Sequence, residues 1–183
     1  MFNKYVSDRE RCDSYASQNK GLMSDGVYYI KNKNVNYALD VANGSLYGGA
    51  NVQLYSLNRT NAQKWKITHD SKGYVMFQNV GSGMYLTAGG NVDSANVYQQ
   101  KQSNEYNQKW VITFDNNQNL HIISALNSTI VLDVKNGNIC NGSNIQLYTS
   151  NNSNAQKWVF EYINTNVSDE LTHIMGTSQT TVD

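Results

Sequence analysis

Proline is absent from this chain of 183 residues and charge is sparse, 15% of residues, with 14 basic against 14 acidic side chains. A balanced chain without a basic cluster offers no electrostatic footprint for nucleic acid or for an anionic membrane surface, so neither partner is expected. No apolar run approaches the roughly 20 residues a membrane-spanning helix needs, and none at the start resembles a signal peptide. Cys12 and Cys140 lack metal-ligand spacing and a disulfide framework; one bridge is open to them, but two idle thiols are expected. His69, His121 and His173 show no spacing typical of a metal site or triad, and no Gly-rich phosphate loop follows a strand. The acidic residues are scattered, with no pair standing out as the acid and base of a hydrolase. No cofactor, no metal and no catalysis by the chain itself are therefore expected.

What the chain has instead is asparagine in abundance, 13 tyrosines, and three copies of one tag. Gln63-Lys64-Trp65, Gln108-Lys109-Trp110 and Gln156-Lys157-Trp158 put their tryptophans 45 and 48 residues apart. A fixed period of that size means one supersecondary unit used three times. Aligned on the tags, the repeats run over about 26–69, 74–114 and 120–163. The first reads as four short strands, 27–30, 37–41, 51–55 and 64–67, separated by turn signals such as Asn43-Gly44 and Gly48-Gly49. Strict alternation in the last strand puts Trp65 and Ile67 on one face, and Trp110, Ile112 and Phe114, then Trp158, Phe160 and Tyr162, repeat it. Nothing between Gly26 and Ile163 reads as helical. One copy is too small to bury its own apolar face, so twelve strands predict a closed all-β assembly. The tag tryptophans are expected in its interior, with each tag glutamine satisfying backbone groups.

Repeats one and three agree beyond the tag. Leu39-Asp40-Val41, Gln53-Leu54-Tyr55 and Asn61-Ala62-Gln63 recur as Leu132-Asp133-Val134, Gln146-Leu147-Tyr148 and Asn154-Ala155-Gln156 at the same offsets. If Leu39, Val41, Val52 and Leu54 face the core, then Asp40, Gln53 and Tyr55 face the other way, and the third repeat does the same with Asp133, Gln146 and Tyr148. A carboxylate accepts hydrogen bonds from neighbouring hydroxyls, an amide donates and accepts, and a phenol ring covers the C–H face of a pyranose. That set suits a neutral, hydroxyl-rich ligand. Because the carboxylates face outward, removing both by Asp40→Ala and Asp133→Ala is expected to leave the melting temperature nearly unchanged.

Together these elements resemble the ricin-type β-trefoil lectins, also known as family 13 carbohydrate-binding modules, over about residues 24–163. The resemblance implies an all-β β-trefoil, six hairpins arranged as a barrel and cap with pseudo-threefold symmetry. It implies shallow galactose- or GalNAc-type sites that use Asp40, Gln53, Tyr55 and Asn61 in the first repeat, and Asp133, Gln146, Tyr148 and Asn154 in the third. Many members place a binding asparagine immediately before the tag glutamine; here Ala62 and Ala155 stand there and the asparagines lie one residue earlier, which bears on selectivity for galactose. In the middle repeat Thr87 replaces the aspartate, and Tyr98 and Gln100 occupy the glutamine and tyrosine positions, so that site is expected to be dead or altered.

Outside the repeats, residues 1–24 read as a polar N-terminal extension in which Arg9-Glu10-Arg11 and Tyr15 could form a short helix. Residues 164–183 read as a linker or tail whose last ten resemble the segment opening glucosaminidase-type domains of bacterial surface proteins. The resemblance thus implies a secreted or cell-surface bacterial module that binds glycans and targets an attached or partner domain to them, and the tail adds the alternative of a fragment of a glucosaminidase-type cell-wall hydrolase. The rival readings are a haemagglutinin-type toxin component or stand-alone lectin, and a β-trefoil that binds proteins.

Overall fold

The structure is a computed structural model that describes residues 6–164. Its body is made of twelve strands: β1 Gly26–Asn32, β2 Tyr37–Val41, β3 Val52–Ser56, β4 Trp65–His69, β5 Val75–Asn79, β6 Tyr85–Ala88, β7 Val97–Gln100, β8 Trp110–Phe114, β9 Leu120–Ser124, β10 Ile130–Val134, β11 Ser143–Thr149 and β12 Trp158–Tyr162. The first and fourth strands of each repeat pair around a ring, β1 with β4, β4 with β5, β5 with β8, β8 with β9, β9 with β12 and β12 back to β1. Closure leaves these six strands without a free edge. The second and third strands form three antiparallel hairpins, β2–β3, β6–β7 and β10–β11, which cap one end.

Three equivalent asparagines lock that cap on the pseudo-threefold axis. Asn51 Nδ2 donates to Asn144 Oδ1, Asn144 Nδ2 to Asn96 Oδ1 and Asn96 Nδ2 to Asn51 Oδ1, at 2.8, 2.9 and 2.9 Å. The core below is one cluster in which Trp65, Trp110 and Trp158 are fully buried with Leu39, Leu86 and Leu132. Each indole N–H donates to one of those leucine carbonyls, at 3.1–3.2 Å, so a large apolar group is buried without orphaning its polar atom.

One feature departs from the sequence expectation. Single 3-10 turns interrupt the all-strand body at Ala42–Gly44, Asn61–Gln63, Tyr106–Gln108, Lys135–Gly137 and Asn154–Gln156. Three residues are too few to carry a periodic signal, and three of these turns lie immediately before a tag Lys-Trp pair. The short helix expected around Arg9-Glu10-Arg11 and Tyr15 is present as α1, Asp8–Asn19, and is seated on the barrel. Ser7 and Glu10 close a capping box at its start. Cys12 and Ala16 are buried against Tyr74, Val111, Ile123, Ala125 and Val131 in a second apolar cluster. Arg9 donates to the Tyr74 hydroxyl and the Ala125 carbonyl while its guanidinium lies over the Tyr106 ring. Both cysteines are free, Cys12 buried and Cys140 exposed, and burial pushes the Cys12 thiol up to about 11. No described helix is long and apolar enough to cross a membrane. The linker expected over 164–183 lies, beyond residue 164, outside the described residues.

Candidate functional site

In repeats one and three the second strand ends in an Asn-Gly turn whose residues all have positive φ: Asn43 59°, Gly44 57°, Asn136 58° and Gly137 60°. Asparagine and glycine tolerate this left-handed backbone, and the turn sends the following loop back beside the hairpin. Cross-strand register then sets Asp40 opposite Gln53 with Tyr55 two residues on, and Asp133 opposite Gln146 with Tyr148 two residues on. Gln53 Nε2 donates to Asp40 Oδ1 at 2.9 Å, and Gln146 Nε2 to Asp133 Oδ1 at 2.9 Å.

All eight residues expected from the sequence come together in two matching clefts. Asp40, Gln53, Tyr55 and Asn61 line one of about 530 Å³; Asp133, Gln146, Tyr148 and Asn154 line the other, of about 640 Å³. The carboxylates sit on the floors rather than in open solvent, Asp40 only 5% and Asp133 only 4% exposed. Tyr148 is 37% exposed at the rim, and Asn61 and Asn154 are exposed on their 3-10 turns. Burial raises the pKa of both aspartates. Hydrogen bonds from Gln53 and Gln63 at Asp40, and from Gln146 and Gln156 at Asp133, oppose that shift.

This geometry corrects the expected indifference of the fold to losing both carboxylates. Asp133 accepts from two buried amides, Gln146 Nε2 and, at 3.0 Å on the other oxygen, Gln156 Nε2. Truncation to alanine strands buried donors, which costs about 1–3 kcal/mol. Asp40 is as deeply buried, but its partner Gln53 is only half-buried and can turn to water, so the loss of Asp40 costs less.

Further lining residues escaped the sequence reading. Leu46 and Ile139, each six residues after its aspartate, form apolar walls. Asn79 and Gly81 complete the first cleft from the second repeat, and Asn32, Lys33 and Val35 complete the third repeat's cleft from the first. Asn79 Nδ2 donates to the Ala62 carbonyl and Asn32 Nδ2 to those of Asn154 and Lys157, so each tag turn is pinned by the adjacent repeat. Leu46 and Ile139 could have been found from their shared offset; the cross-repeat partners carry no such local signal. The tag glutamines also do more than expected. Gln63 and Gln156 accept from loop N–H groups and donate to the carbonyls of Ser56 and Thr149, and Gln156 in addition holds Asp133.

The middle repeat uses the same framework differently. Thr87 is buried, donates to the Tyr85 carbonyl and accepts from tag Gln108. Beside it, Gln99 Nε2 ties down the carbonyls of Ser45 and Tyr47 from the first repeat's loop. Thr87, Tyr98 and Gln100 line neither of the two clefts above.

A six-stranded barrel capped by three hairpins, with matching polar clefts on two of three repeats, defines a β-trefoil of the repeat-site class. Residues 26–161 match the model of the ricin-type β-trefoil lectin domain, and the chain belongs to that family. No curated protein matches it. Among solved structures, the designed threefold-symmetric protein ThreeFoil is 28% identical with a TM-score of 0.72, over 76% of this chain and 100% of that one. Rhizoctonia solani agglutinin is 28% identical with a TM-score of 0.70, over 77% and 97%. A mosquitocidal holotoxin is 27% identical with a TM-score of 0.73, over 78% of this chain but only 18% of that one.

Proposed function

We propose that this protein is a non-catalytic glycan-binding module with two repeat-borne sites for galactose- or GalNAc-type sugars. The observation that carries this reading is the convergence, twice over, of a buried carboxylate, an amide and a half-exposed tyrosine ring on one cleft large enough to admit a hexose. The carboxylate accepts from two ring hydroxyls, the glutamines fix its oxygens, and Tyr55 or Tyr148 covers the apolar face of the sugar. Each of these clefts is lined by a single carboxylate, whereas glycoside hydrolysis needs two at a defined separation. Shallow sites of this kind bind at millimolar strength, about −4 kcal/mol, so function rests on using both together on a polymeric or clustered glycan.

Such a module serves a neighbouring or partner domain in a secreted or surface protein. The small share of the holotoxin that this chain spans supports a trefoil as one part of a larger assembly. The test is a glycan array followed by titration with lactose and GalNAc under NMR observation. Ring signals of Tyr55 and Tyr148 should move saturably while those of Tyr98 stay still. A flat array, or equal movement at Tyr98, would defeat the two-site reading.

A further inference from the structure

Helix α1 lies outside the family-matched residues and is an addition to the trefoil. Cys12 and Ala16 face the barrel, which leaves Tyr15, Gln18 and Asn19, three and four positions apart, along a neighbouring edge of the helix. That edge is one wall of a cleft of about 600 Å³, between the two repeat clefts in size. The opposite wall is the end of β8 and the turn into β9, with Phe114, Asp115 and His121. Strand alternation assigns Phe114 to the inward side with Trp110 and Ile112, yet it is 44% exposed.

Asp115 orders this wall. It accepts from the backbone N–H groups of Asn117 and Asn119 at 2.8 and 2.9 Å, from Asn119 Nδ2 at 2.9 Å and from the His121 ring at 2.9 Å. Those bonds, that of His121 foremost, hold its carboxyl well below the usual range. An ionised carboxylate only accepts, so the proton between the two groups sits on His121 Nε2. Nδ1 of the same ring is buried with no partner among the described residues, in a side chain 7% exposed. The cleft thus combines an ordered turn that presents amides, a half-exposed ring and a buried ring nitrogen without a partner, and it shares the amides and the aromatic surface of the two repeat clefts on a different framework.

We propose that the cleft between α1 and the β8–β9 hairpin is a third binding site, for a neutral sugar residue bearing hydroxyl or acetamido groups. Phe114 and Tyr15 supply the stacking surfaces, and the amides along both walls supply the hydrogen bonds. The assignment rests on reading the protein as a glycan binder, and the experiment separates the two. The whole chain is titrated with lactose and with N,N′-diacetylchitobiose while the side-chain signals of His121, Phe114, Tyr55 and Tyr148 are followed by NMR. At least one sugar should move His121 and Phe114 saturably, and should still do so in the Asp40→Asn, Asp133→Asn double variant. Phe114→Ala, or independently Tyr15→Ala, should weaken that response about tenfold or more while leaving Tyr55 and Tyr148 unaffected. Movement at Tyr55 and Tyr148 with none at His121 and Phe114 for either sugar overturns the third site and leaves the repeat sites standing. Silence at all four overturns both.

Discussion

The proposed sugar contact needs Asp40 and Asp133 ionised on cleft floors that disfavour charge, and this tension makes their titration informative. Burial raises both carboxyls above their ordinary value of about 4, and the surrounding amides recover only part of the shift. The folded state therefore holds these protons more tightly than the unfolded chain does. Across the window from the ordinary value up to the raised one, their contribution to stability is fullest at the acid end and is lost as pH rises. A charged carboxylate is the stronger acceptor for hydroxyls, so the proposed sugar binding runs the other way and weakens as pH falls through the same window. Lactose affinity measured against pH should drop on acidification. Over that range, the stability of the protein relative to its Asp40→Asn, Asp133→Asn variant should rise. Affinity that stays flat as pH is lowered from neutral through that window would remove these carboxylates from the ligand contact. At this scale the sequence disclosed the aspartates, the paired glutamines and the tyrosines, because a hairpin makes cross-strand neighbours out of residues close in sequence. It did not disclose that Gln156 holds Asp133, a contact between the second strand of a repeat and the turn before its fourth.

Among the elements, α1 depends on one glycine. Gly73 has φ +97°, and a Cβ built there would lie 2.4 Å from the Ala16 carbonyl oxygen. Gly73→Ala therefore meets both a disfavoured backbone region and the helix itself. It should lower stability by about 1–3 kcal/mol and speed hydrogen exchange along Asp8–Asn19 more than in the barrel strands. Unchanged melting and exchange would show that the helix is not seated on this turn. The docking also explains why both faces of β8 are buried at Val111 and Ile112, where alternation alone predicts one exposed face. The Ser-x-x-Glu pattern at Ser7 and Glu10 signals the start of the helix, but the apolar side of α1 offers little more than Cys12 and Ala16, too few to reveal where it packs.

At the scale of the whole molecule, three repeats share one barrel while only two retain the full site. The asparagine ring at Asn51, Asn96 and Asn144 keeps the cap symmetric even though the middle repeat has lost its aspartate. Two weak sites held by one rigid body act together only on a surface that offers several sugars. Asp40→Asn alone should reduce retention on a densely glycosylated surface by about tenfold or more, yet leave the affinity of the third repeat's site for free lactose unchanged. A merely twofold loss of retention would mean that the two clefts act independently.

The period of the tags, the alternation of the strands and the repeated Asp, Gln and Tyr offsets determined the trefoil and most of both repeat clefts. The alternation and the offsets are local, set by strand parity and hairpin register within about 25 residues, and the tags recur at a regular 45 and 48 residues. The tertiary structure alone decided the rest: the deep seat of Asp133, the closing of each cleft by Asn32 or Asn79 from the adjoining repeat, and the cleft under α1. These contacts join residues far apart in the chain. They follow from closing the barrel and docking a helix on it, and leave no periodic trace in the order of amino acids.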